Sequence, residues 1–195
     1  MSSLGRFSTN NLRRLISSIN SIRFRDEVGE VEYFGQKVVL LRRDVFGLIR
    51  KELSRLSGDA ANVIMEIAGR RVGTEEGRAL KAKAESLGIR GPDEFPEFVT
   101  TAVEETNIGI GKVRVLEFAQ PDGTASISIM NGFEADRPGG SLKPTCFFTL
   151  GYLKGVFSQL MDMDVRGREV GCRARGEDSC RFVLGPEPVQ QLQPS

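Results

Sequence analysis

Residues 168–182 read Arg-Glu-Val-Gly-Cys-Arg-Ala-Arg-Gly-Glu-Asp-Ser-Cys-Arg-Phe, and this stretch decides how the C-terminal part of the chain is interpreted. It carries Glu169, Cys172 and Cys180, and the third cysteine of the chain is Cys146. Three thiolates and one carboxylate complete a tetrahedral shell for a borderline-soft ion such as Zn²⁺. Because the chain has no histidine and no fourth cysteine, a zinc site in it requires a carboxylate ligand.

Taken alone, these spacings leave other interpretations open. The cysteines could be three buried thiols that fill core space, or one disulfide and a spare thiol. Glu169, which follows Arg168, could be a solvated strand carboxylate. If a metal is bound, four protein ligands leave no open position for water, so the site is structural rather than catalytic.

The geometry of such a site requires an irregular strand. Glu169 and Cys172 are three residues apart, so on a regular strand their side chains would point to opposite faces. A bulge at Gly171 would bring them to the same side, and glycine is the residue that such a bulge tolerates. Cys146 is expected in the first turn of a helix from about Thr145 to Met161, where the helix dipole favours a thiolate.

The segment from Cys146 to Leu184 resembles the core of the 4-vinyl reductase domain family. The residues on which this resemblance rests are Cys146–Phe148, Gly151–Gly155 on a helix, Glu169–Ala174 on a strand, and the turn Gly176–Phe182. This family is also described as a hydrocarbon-binding domain and is the sensory domain of phenol- and xylene-responsive bacterial regulators. In the aromatic-sensing relatives a cysteine, a glutamate and two further cysteines bind a structural zinc. The resemblance therefore implies zinc here; from Val28 to Phe133 only the element order agrees.

The resemblance also implies a cavity between the helices and the sheet, close to the zinc, that holds a small apolar or aromatic ligand. The candidate lining residues are Phe95, Phe98, Phe118, Ile127, Ile129, Phe133, Phe147, Phe148 and Tyr152. Phenylalanines at these spacings are more commonly core residues, so both interpretations stay open. The phenol-sensing relatives hydrogen-bond the phenolic hydroxyl with a histidine and a tryptophan, and this chain has neither. A ligand more apolar or larger than phenol is therefore expected.

The length of the chain predicts one domain, and its near-zero net charge predicts no strong electrostatic field around it. Its 195 residues are enough to remove roughly 70% of the unfolded surface from water without disulfides. We expect a helical arm at 1–27, a ligand-binding domain at 28–185 and a disordered tail at 186–195. The 27 basic residues nearly balance the 26 acidic ones, which argues against recruitment of nucleic acid or an anionic membrane.

The sequence predicts a cytoplasmic protein. No apolar run approaches the roughly 20 residues needed to span a bilayer. Asn10, Asn11, Arg13 and Arg14 interrupt any signal-peptide core near the start. In that compartment thiols stay reduced and available to a metal.

Periodicity predicts an α+β fold with one antiparallel sheet and helices packed on one side. The first half is expected to hold a short helix around Leu12–Ile19 and a hairpin of Val31–Phe34 with Lys37–Leu41. Asp44 and Asp59 are expected to cap two helices. The first helix has an apolar stripe of Val45, Leu48, Ile49, Leu53 and Leu56. In the second helix the residues expected to face the core are Val63, Ile64, Ile67, Ala68 and Val72. Its glycines at 69, 73 and 77 favour close helix packing, or else a pocket wall.

In the second half of the chain the spacing of apolar residues changes from a helical pattern to the alternation of strands. Phe95, Phe98, Val99 and Val103 predict a further helix, with Pro96 in its first turn. Lys112–Phe118 and Thr124–Met130 predict two strands joined by a turn, the second with Ile127 and Ile129 on the buried face. After the helix to Met161, the segments 164–174 and 180–184 are expected to complete the sheet with a zinc-stabilised hairpin.

Little in the sequence indicates an active site. The usual acid–base residue near neutral pH is absent, because there is no histidine. Gly109–Lys112 resembles a fragment of a phosphate loop but lacks the required spacing and hydroxyl. The family name comes from a proposed role in reducing a vinyl group of chlorophyll precursors, and this chain has no residues that would deliver hydride.

We therefore interpret the chain as a stand-alone, zinc-containing, small-molecule-binding domain. It would act as sensor, carrier or adaptor for an apolar or aromatic ligand, and we expect a homodimer. With no ATPase or helix-turn-helix module expected behind it, a signal would pass to a separate effector protein or through the dimer. The resemblance leaves two alternatives: an accessory factor or enzyme of tetrapyrrole and chlorophyll metabolism, and a scaffold of the vesicle-tethering type, whose subunits share this fold.

Overall fold

The computed structural model describes residues 22–33, 36–89, 94–106, 110–119, 123–135 and 140–186. In chain order its elements are β1 (Ile22–Arg25), β2 (Glu30–Tyr33), β3 (Gln36–Val38), α1 (Val45–Ser57), α2 (Ala60–Ser86), α3 (Glu94–Thr106), β4 (Lys112–Ala119), β5 (Thr124–Met130), α4 (Phe147–Met161), β6 (Arg166–Gly171), a 3₁₀ turn (Arg173–Arg175) and β7 (Cys180–Gly185). The predicted α+β class with antiparallel pairing is confirmed.

The strands form two antiparallel sheets rather than the single sheet that the sequence predicts. β1, β2 and β3 make a three-stranded sheet, and the other four strands pair in the order β4-β5-β7-β6. Ile22–Arg25, assigned from the sequence to a helical arm, is a strand that pairs with Glu30–Tyr33. All four of its residues are exposed, and so short a run carries too little periodicity to separate strand from helix. The predicted helix around Leu12–Ile19 and the tail from 187 onward lie outside the described residues.

Most other predicted elements lie where the sequence places them. The hairpin is present as β2 and β3, but residues 39–41, expected in its second strand, are exposed and not part of it. α1 begins after Asp44 and ends before Gly58, as predicted. The Asp44 side chain does not cap it, because the carboxylate accepts a 3.0 Å hydrogen bond from Nε of Arg42 instead. Of the predicted apolar stripe on α1, no residue is fully buried.

Glycines decide how α2 packs, and they reverse the orientation predicted for its apolar residues. Gly69, Gly73 and Gly77 are buried against α4, where a Cβ at Gly69 or Gly73 would lie 2.0 Å from a backbone carbonyl oxygen of that helix. The glycine face lets the two backbones meet, so the opposite face turns outward. The residues expected inward are therefore exposed: Val63, Ile64, Ile67, Ala68 and Val72. No helix within the described part of the chain has both the length and the apolar character to cross a membrane.

The four-stranded sheet has one buried face, which carries the main core. In β5 the predicted alternation is confirmed: Ile127 and Ile129 are buried while the serines between them are half-buried. α3 and α4 cover this face with Phe98 and Phe157, and β7 contributes Phe182. The same sheet then carries the C-terminal hairpin of β6 and β7 to the N-terminus of α4, where the candidate site lies.

Candidate metal centre

Cys146 lies at the N-terminus of α4, one residue before the first helical residue. The helix begins at Phe147, so Cys146 is its N-cap rather than a residue of its first turn as expected. Its backbone N–H donates a 3.1 Å hydrogen bond to Oε2 of Glu169. A carboxylate near exposed amides at a helix N-terminus is favoured by the helix dipole. This contact joins α4 to the end of β6.

The predicted bulge is present and turns Glu169 and Cys172 to the same side. Glu169 pairs with Phe182 and Gly171 pairs with Arg181, so Val170 is the extra residue where the register of β6 against β7 shifts. At Gly171 a Cβ would lie 2.5 Å from Oε2 of Glu177, so a larger residue there would require the Glu177 side chain to shift. The bulge therefore places two candidate ligands together that a regular strand would separate.

Three thiols and one carboxylate meet at this point, and we call Cys146, Glu169, Cys172 and Cys180 the cluster. Their candidate ligand atoms all lie within 4.8 Å of one another, and Sγ of Cys146 is 3.4 Å from Sγ of Cys180. Tetrahedral zinc with bonds of about 2.3 Å to sulfur places two sulfurs about 3.8 Å apart. The three cysteines are buried free thiols. The spacing and donor set of the cluster fit a zinc ion.

One buried oxygen of the cluster lacks a partner. Oε1 of Glu169 is buried and has no hydrogen bond among the described residues, whereas Oε2 is held by Cys146. An unsatisfied buried carboxylate oxygen is costly and rare in native proteins. It is the atom that a cation ligated by the neighbouring sulfurs would engage. The orphaned oxygen is thus an observation in favour of a metal at this place.

Burial and mutual hydrogen bonds shift the pKa values of the three thiols and the carboxyl of the cluster. Burial raises the pKa of Glu169 to about 8. Hydrogen bonds from Cys146 and then Cys180 hold the pKa of Cys172 well below its usual range, and the same contact with Cys172 raises the pKa of Cys146. The hydrogen bond with Cys146 lowers the pKa of Cys180, but that with Cys172 and burial outweigh it and raise the value to about 12. A divalent cation would replace the protons that these groups now hold.

A second layer of hydrogen bonds orients the side chains of the cluster. The N–H of Arg173 donates to Sγ of Cys180 at 3.5 Å, and Thr145 Oγ1 lies 3.8 Å from Sγ of Cys172. Glu177 accepts hydrogen bonds from the N–H of Cys172 at 3.1 Å and from Arg181 at 2.9 Å. Donation by Arg181 holds the pKa of Glu177 below its usual range. Such outer contacts fix the orientation of ligands around structural metals.

The predicted ligand-lining residues fall into two groups. Phe98, Ile127, Ile129 and Tyr152 are buried in the main core. Phe95, Phe118 and Phe148 are partly buried and pack against that core. The other two, Phe133 and Phe147, lie nearer α1: Phe133 is buried beside Phe46, and Phe147 lies under the guanidinium of Arg50. The structure brings these residues together mainly as packed core rather than as the wall of one open cavity.

Two of the clefts that the described residues form lie beside this core. The first, which we call the α3 cleft, has a volume of about 340 Å³ and lies between α3 and β4; its lining includes Glu97, Glu104 and Phe118. The second, which we call the α1 cleft, has a volume of about 520 Å³. It is lined by Asp44, Gly47, Leu48, Arg50, Lys51, Phe133, Glu134, Ala135, Gly140, Ser141, Thr145 and Ala174. Of the predicted lining residues, Phe118 and Phe133 each face one of these clefts.

Sequence reasoning missed three residues that shape the site. Glu134 accepts hydrogen bonds from the backbone N–H of Phe148 at 3.0 Å and of Thr149 at 2.7 Å, so it caps α4 from a distant turn. Phe46 makes edge contacts with Phe133 and Phe148, and Glu177 supports Cys172. Only Glu177 had a local signal, since it lies in the turn between two candidate ligands.

Comparison with known proteins places this site in a recognised type of domain. A model of the 4-vinyl reductase domain matches residues 125–186, which contain all four residues of the cluster. The phenol regulator MopR of Acinetobacter guillouiae is 24% identical over 186 residues, covering 86% of this chain and 31% of MopR. The chain therefore spans less than a third of the length of that curated relative.

Solved structures share the fold. The phenol-responsive sensory domain of the transcription activator PoxR, crystallised with phenol, matches with a TM-score of 0.74 and 22% identity, covering 95% of this chain and 92% of that one. A trafficking protein particle complex subunit 3 from Naegleria fowleri, covalently bound to palmitic acid, matches with a TM-score of 0.56 and 16% identity, covering 75% and 93%. At these identities the likeness shows the fold alone.

Proposed function

We propose, from the premise that residues 125–186 are a 4-vinyl reductase domain as the sequence resemblance predicts, that this chain is a small-molecule-binding sensory domain stabilised by zinc. The cluster is the observation that carries the metal part of the proposal. The ligand part is supported by the relatives, since MopR is a phenol regulator and the PoxR domain was crystallised with phenol.

The cluster suits a structural metal. Cys146, Cys172 and Cys180 would supply thiolates, and Glu169 would supply Oε1, the buried oxygen that lacks a partner. Bound zinc would supply a closed, four-coordinate crosslink, with no open position for water. The residues themselves tie β6 and β7 to the start of α4. In small domains apparent zinc binding contributes about 10–16 kcal/mol, which is ample to hold a short hairpin in place.

Zinc content tests this part of the proposal. Protein purified under reducing conditions is expected to contain one zinc ion per chain, measured by native mass spectrometry and elemental analysis. Glu169→Gln is expected to lose zinc to a competing chelator sooner than the wild-type protein. Asp178→Asn serves as the matched control, because Asp178 is an exposed carboxylate of the same hairpin. Metal-free wild-type protein, or a Glu169→Gln variant that retains zinc as well as the control, would contradict the metal site.

The ligand is proposed to be apolar or aromatic and less polar than phenol. The buried face offers Phe98, Ile127 and Ile129, and the chain has neither histidine nor tryptophan to bind a phenolic hydroxyl. Because these side chains pack against one another, entry of a ligand is expected to displace the partly buried Phe95 and Phe118 rather than fill an open cavity. Apolar contact then supplies most of the affinity.

Binding of para-xylene and phenol tests the ligand class. We expect para-xylene to raise the melting temperature more than phenol does at equal free concentration. Phe118→Leu is expected to weaken that effect, whereas Phe24→Leu, which changes an exposed ring of the other sheet, is not. A larger rise in melting temperature with phenol, or an equal rise with para-xylene in the two variants, would overturn the proposed ligand class.

Assembly and location stay predictions. A homodimer and a separate effector protein are proposed as the route by which binding is signalled, and light scattering after size exclusion tests the dimer. A cytoplasmic location is likewise proposed, testable by fractionation. The vesicle-tethering alternative is supported by the palmitate-bound structure of the same fold, and a fatty acid co-purified in native mass spectrometry would favour it. Absorbance typical of a porphyrin would favour the tetrapyrrole alternative.

A further inference from the structure

The α1 cleft is lined by Arg50, a cation with one buried donor that has no partner among the described residues. Arg50 lies on α1 and is half-buried, with its guanidinium 5.6 Å from the centre of the Phe147 ring. Its Nε is buried and has no hydrogen-bond partner among the described residues. A buried donor without a partner is rare in native structures and calls for an explanation, such as a bound group.

Glu134, a carboxylate of the same lining, does not satisfy Arg50. Both oxygens of Glu134 accept hydrogen bonds from the N-terminus of α4, through the amides of Phe148 and Thr149. Burial raises the pKa of Glu134 and Arg50 lowers it, so the two groups sense each other's charge. Yet no hydrogen bond or ion pair joins them in the described part of the chain. Glu134 is committed to the helix, and Nε of Arg50 has no partner among the described residues.

The remaining charges of the α1 cleft favour an anion. Lys51 lines the cleft beside Arg50 and is exposed. The other acid of the lining, Asp44, is paired with Arg42. Among the described residues of the lining, Glu134 is bound to α4 and Asp44 is bound to Arg42, so Arg50 and Lys51 are the charged groups left for an occupant.

The apolar part of the lining defines the rest of the occupant. Phe133 lines the cleft, and its ring makes edge contacts with Phe46 and Phe148, with ring centres 4.7 Å and 6.0 Å away. Leu48 adds an aliphatic surface on the α1 side. The volume of about 520 Å³ lies within the range of small-molecule sites. The cleft thus joins an arginine fork to an aromatic wall.

We propose that the α1 cleft is a binding site for a small aromatic carboxylate, whose carboxylate pairs with Arg50 and whose ring packs against Phe133. Arginine is suited to this role because its planar fork matches the two oxygens of a carboxylate. This site is separate from the buried core where the apolar ligand is proposed, so the two proposals stand or fall independently. A chain with both sites would respond to an aromatic acid as well as to a neutral aromatic compound.

Benzoate and its neutral counterpart benzyl alcohol test the proposal on the whole chain. Affinities measured by NMR titration are expected to be higher for benzoate than for benzyl alcohol. Arg50→Gln is expected to weaken benzoate binding roughly tenfold or more, the usual effect of losing a hydrogen bond to a charged group. Arg55→Gln is the matched control, since Arg55 is an exposed arginine of the same helix that pairs with Glu52. It is expected to bind benzoate as the wild-type protein does.

Two further measurements keep the result decisive. If Arg50→Gln does not fold, Arg50→Lys keeps the positive charge but loses the fork, and it is expected to bind benzoate more weakly than the wild-type protein. Benzoate should shift amide signals of α1 and of residues 133–135. Equal affinity for the two probes, unchanged affinity in both Arg50 variants, or signal changes confined to Phe98 and Ile127 would overturn the proposal. Each of these outcomes leaves the proposed zinc site and its test unaffected.

Discussion

The close approach of α2 and α4 makes a single methyl group a sharp test of the fold. In Gly73→Ala the new Cβ would lie 2.0 Å from the carbonyl oxygen of Tyr152, and ordinary contact begins at 3.4 Å. The helices must therefore move apart locally by about 1.4 Å. The obstacle is backbone, which has no rotamer to change, so the cost lies at the upper end of the roughly 1–3 kcal/mol typical of overpacked cores. The better helix propensity of alanine offsets about 1 kcal/mol of this.

The net loss in the free energy of unfolding is thus expected to be about 2 kcal/mol, or a fall in melting temperature of about 4–8 °C for a chain of this size. Urea unfolding followed by circular dichroism measures it. Gly47→Ala is the control, because Gly47 lies on a helix and a Cβ there meets nothing within 4 Å. That variant is expected to gain up to about 1 kcal/mol. If Gly73→Ala were as stable as Gly47→Ala, the argument for backbone contact between the helices would fail.

Three other substitutions test the cluster, the core and the capping carboxylate. Cys172→Ser is expected to release zinc and lower the melting temperature while far-UV circular dichroism stays largely helical; unchanged zinc content would count against the cluster. Phe182→Ala, at a fully buried ring, is expected to cost about 3–5 kcal/mol in urea unfolding, whereas Phe24→Ala, 63% exposed, should cost far less. Burial raises the pKa of Glu134 above its ordinary value of 4.5, so its favourable contribution is complete below that pH and is lost as pH rises through the folded-state value. The stability of the wild-type protein relative to Glu134→Gln should therefore fall as pH rises from 4.5 through the raised pKa of Glu134, and an increase in relative stability over that range would refute the assignment.

The parts of the fold that the sequence predicts are those with a strong local signal. The alternation of apolar and polar residues in β5 and the helical spacing of apolar residues in α3 are each visible within one short segment, and both elements lie where expected. The cluster was predicted from the resemblance to the 4-vinyl reductase domain family, because the spacings of the three cysteines alone left buried thiols and a disulfide open. The bulge at Gly171 followed from that prediction, since two ligands three residues apart cannot share a face on a regular strand.

The face of α2 was predicted wrongly because hydrophobicity and burial point in opposite directions there. Val63, Ile67 and Val72 are apolar, and a periodic pattern of apolar residues normally faces the core. Glycine has no hydrophobic side chain, yet its face allows the closest approach and is the one buried. Which of two faces a partner helix selects depends on the partner, here the glycines of α4, and that information is not local to α2.

Helix α4 explains why the site and the fold are difficult to separate in this chain. Its glycines at 151 and 155 approach the α2 backbone closely, since a Cβ at either would lie 2.0–2.3 Å from a carbonyl oxygen of α2. Its N-terminus meets Glu134 and Glu169, two carboxylates from different loops and strands. The helix dipole stabilises negatively charged carboxylates at this N-terminus, but burying each carboxylate costs free energy. At Glu134 two amide hydrogen bonds offset part of that cost, and burial still raises its pKa. At Glu169 only Oε2 is hydrogen-bonded within the described residues, and Oε1 is the atom left for the proposed cation.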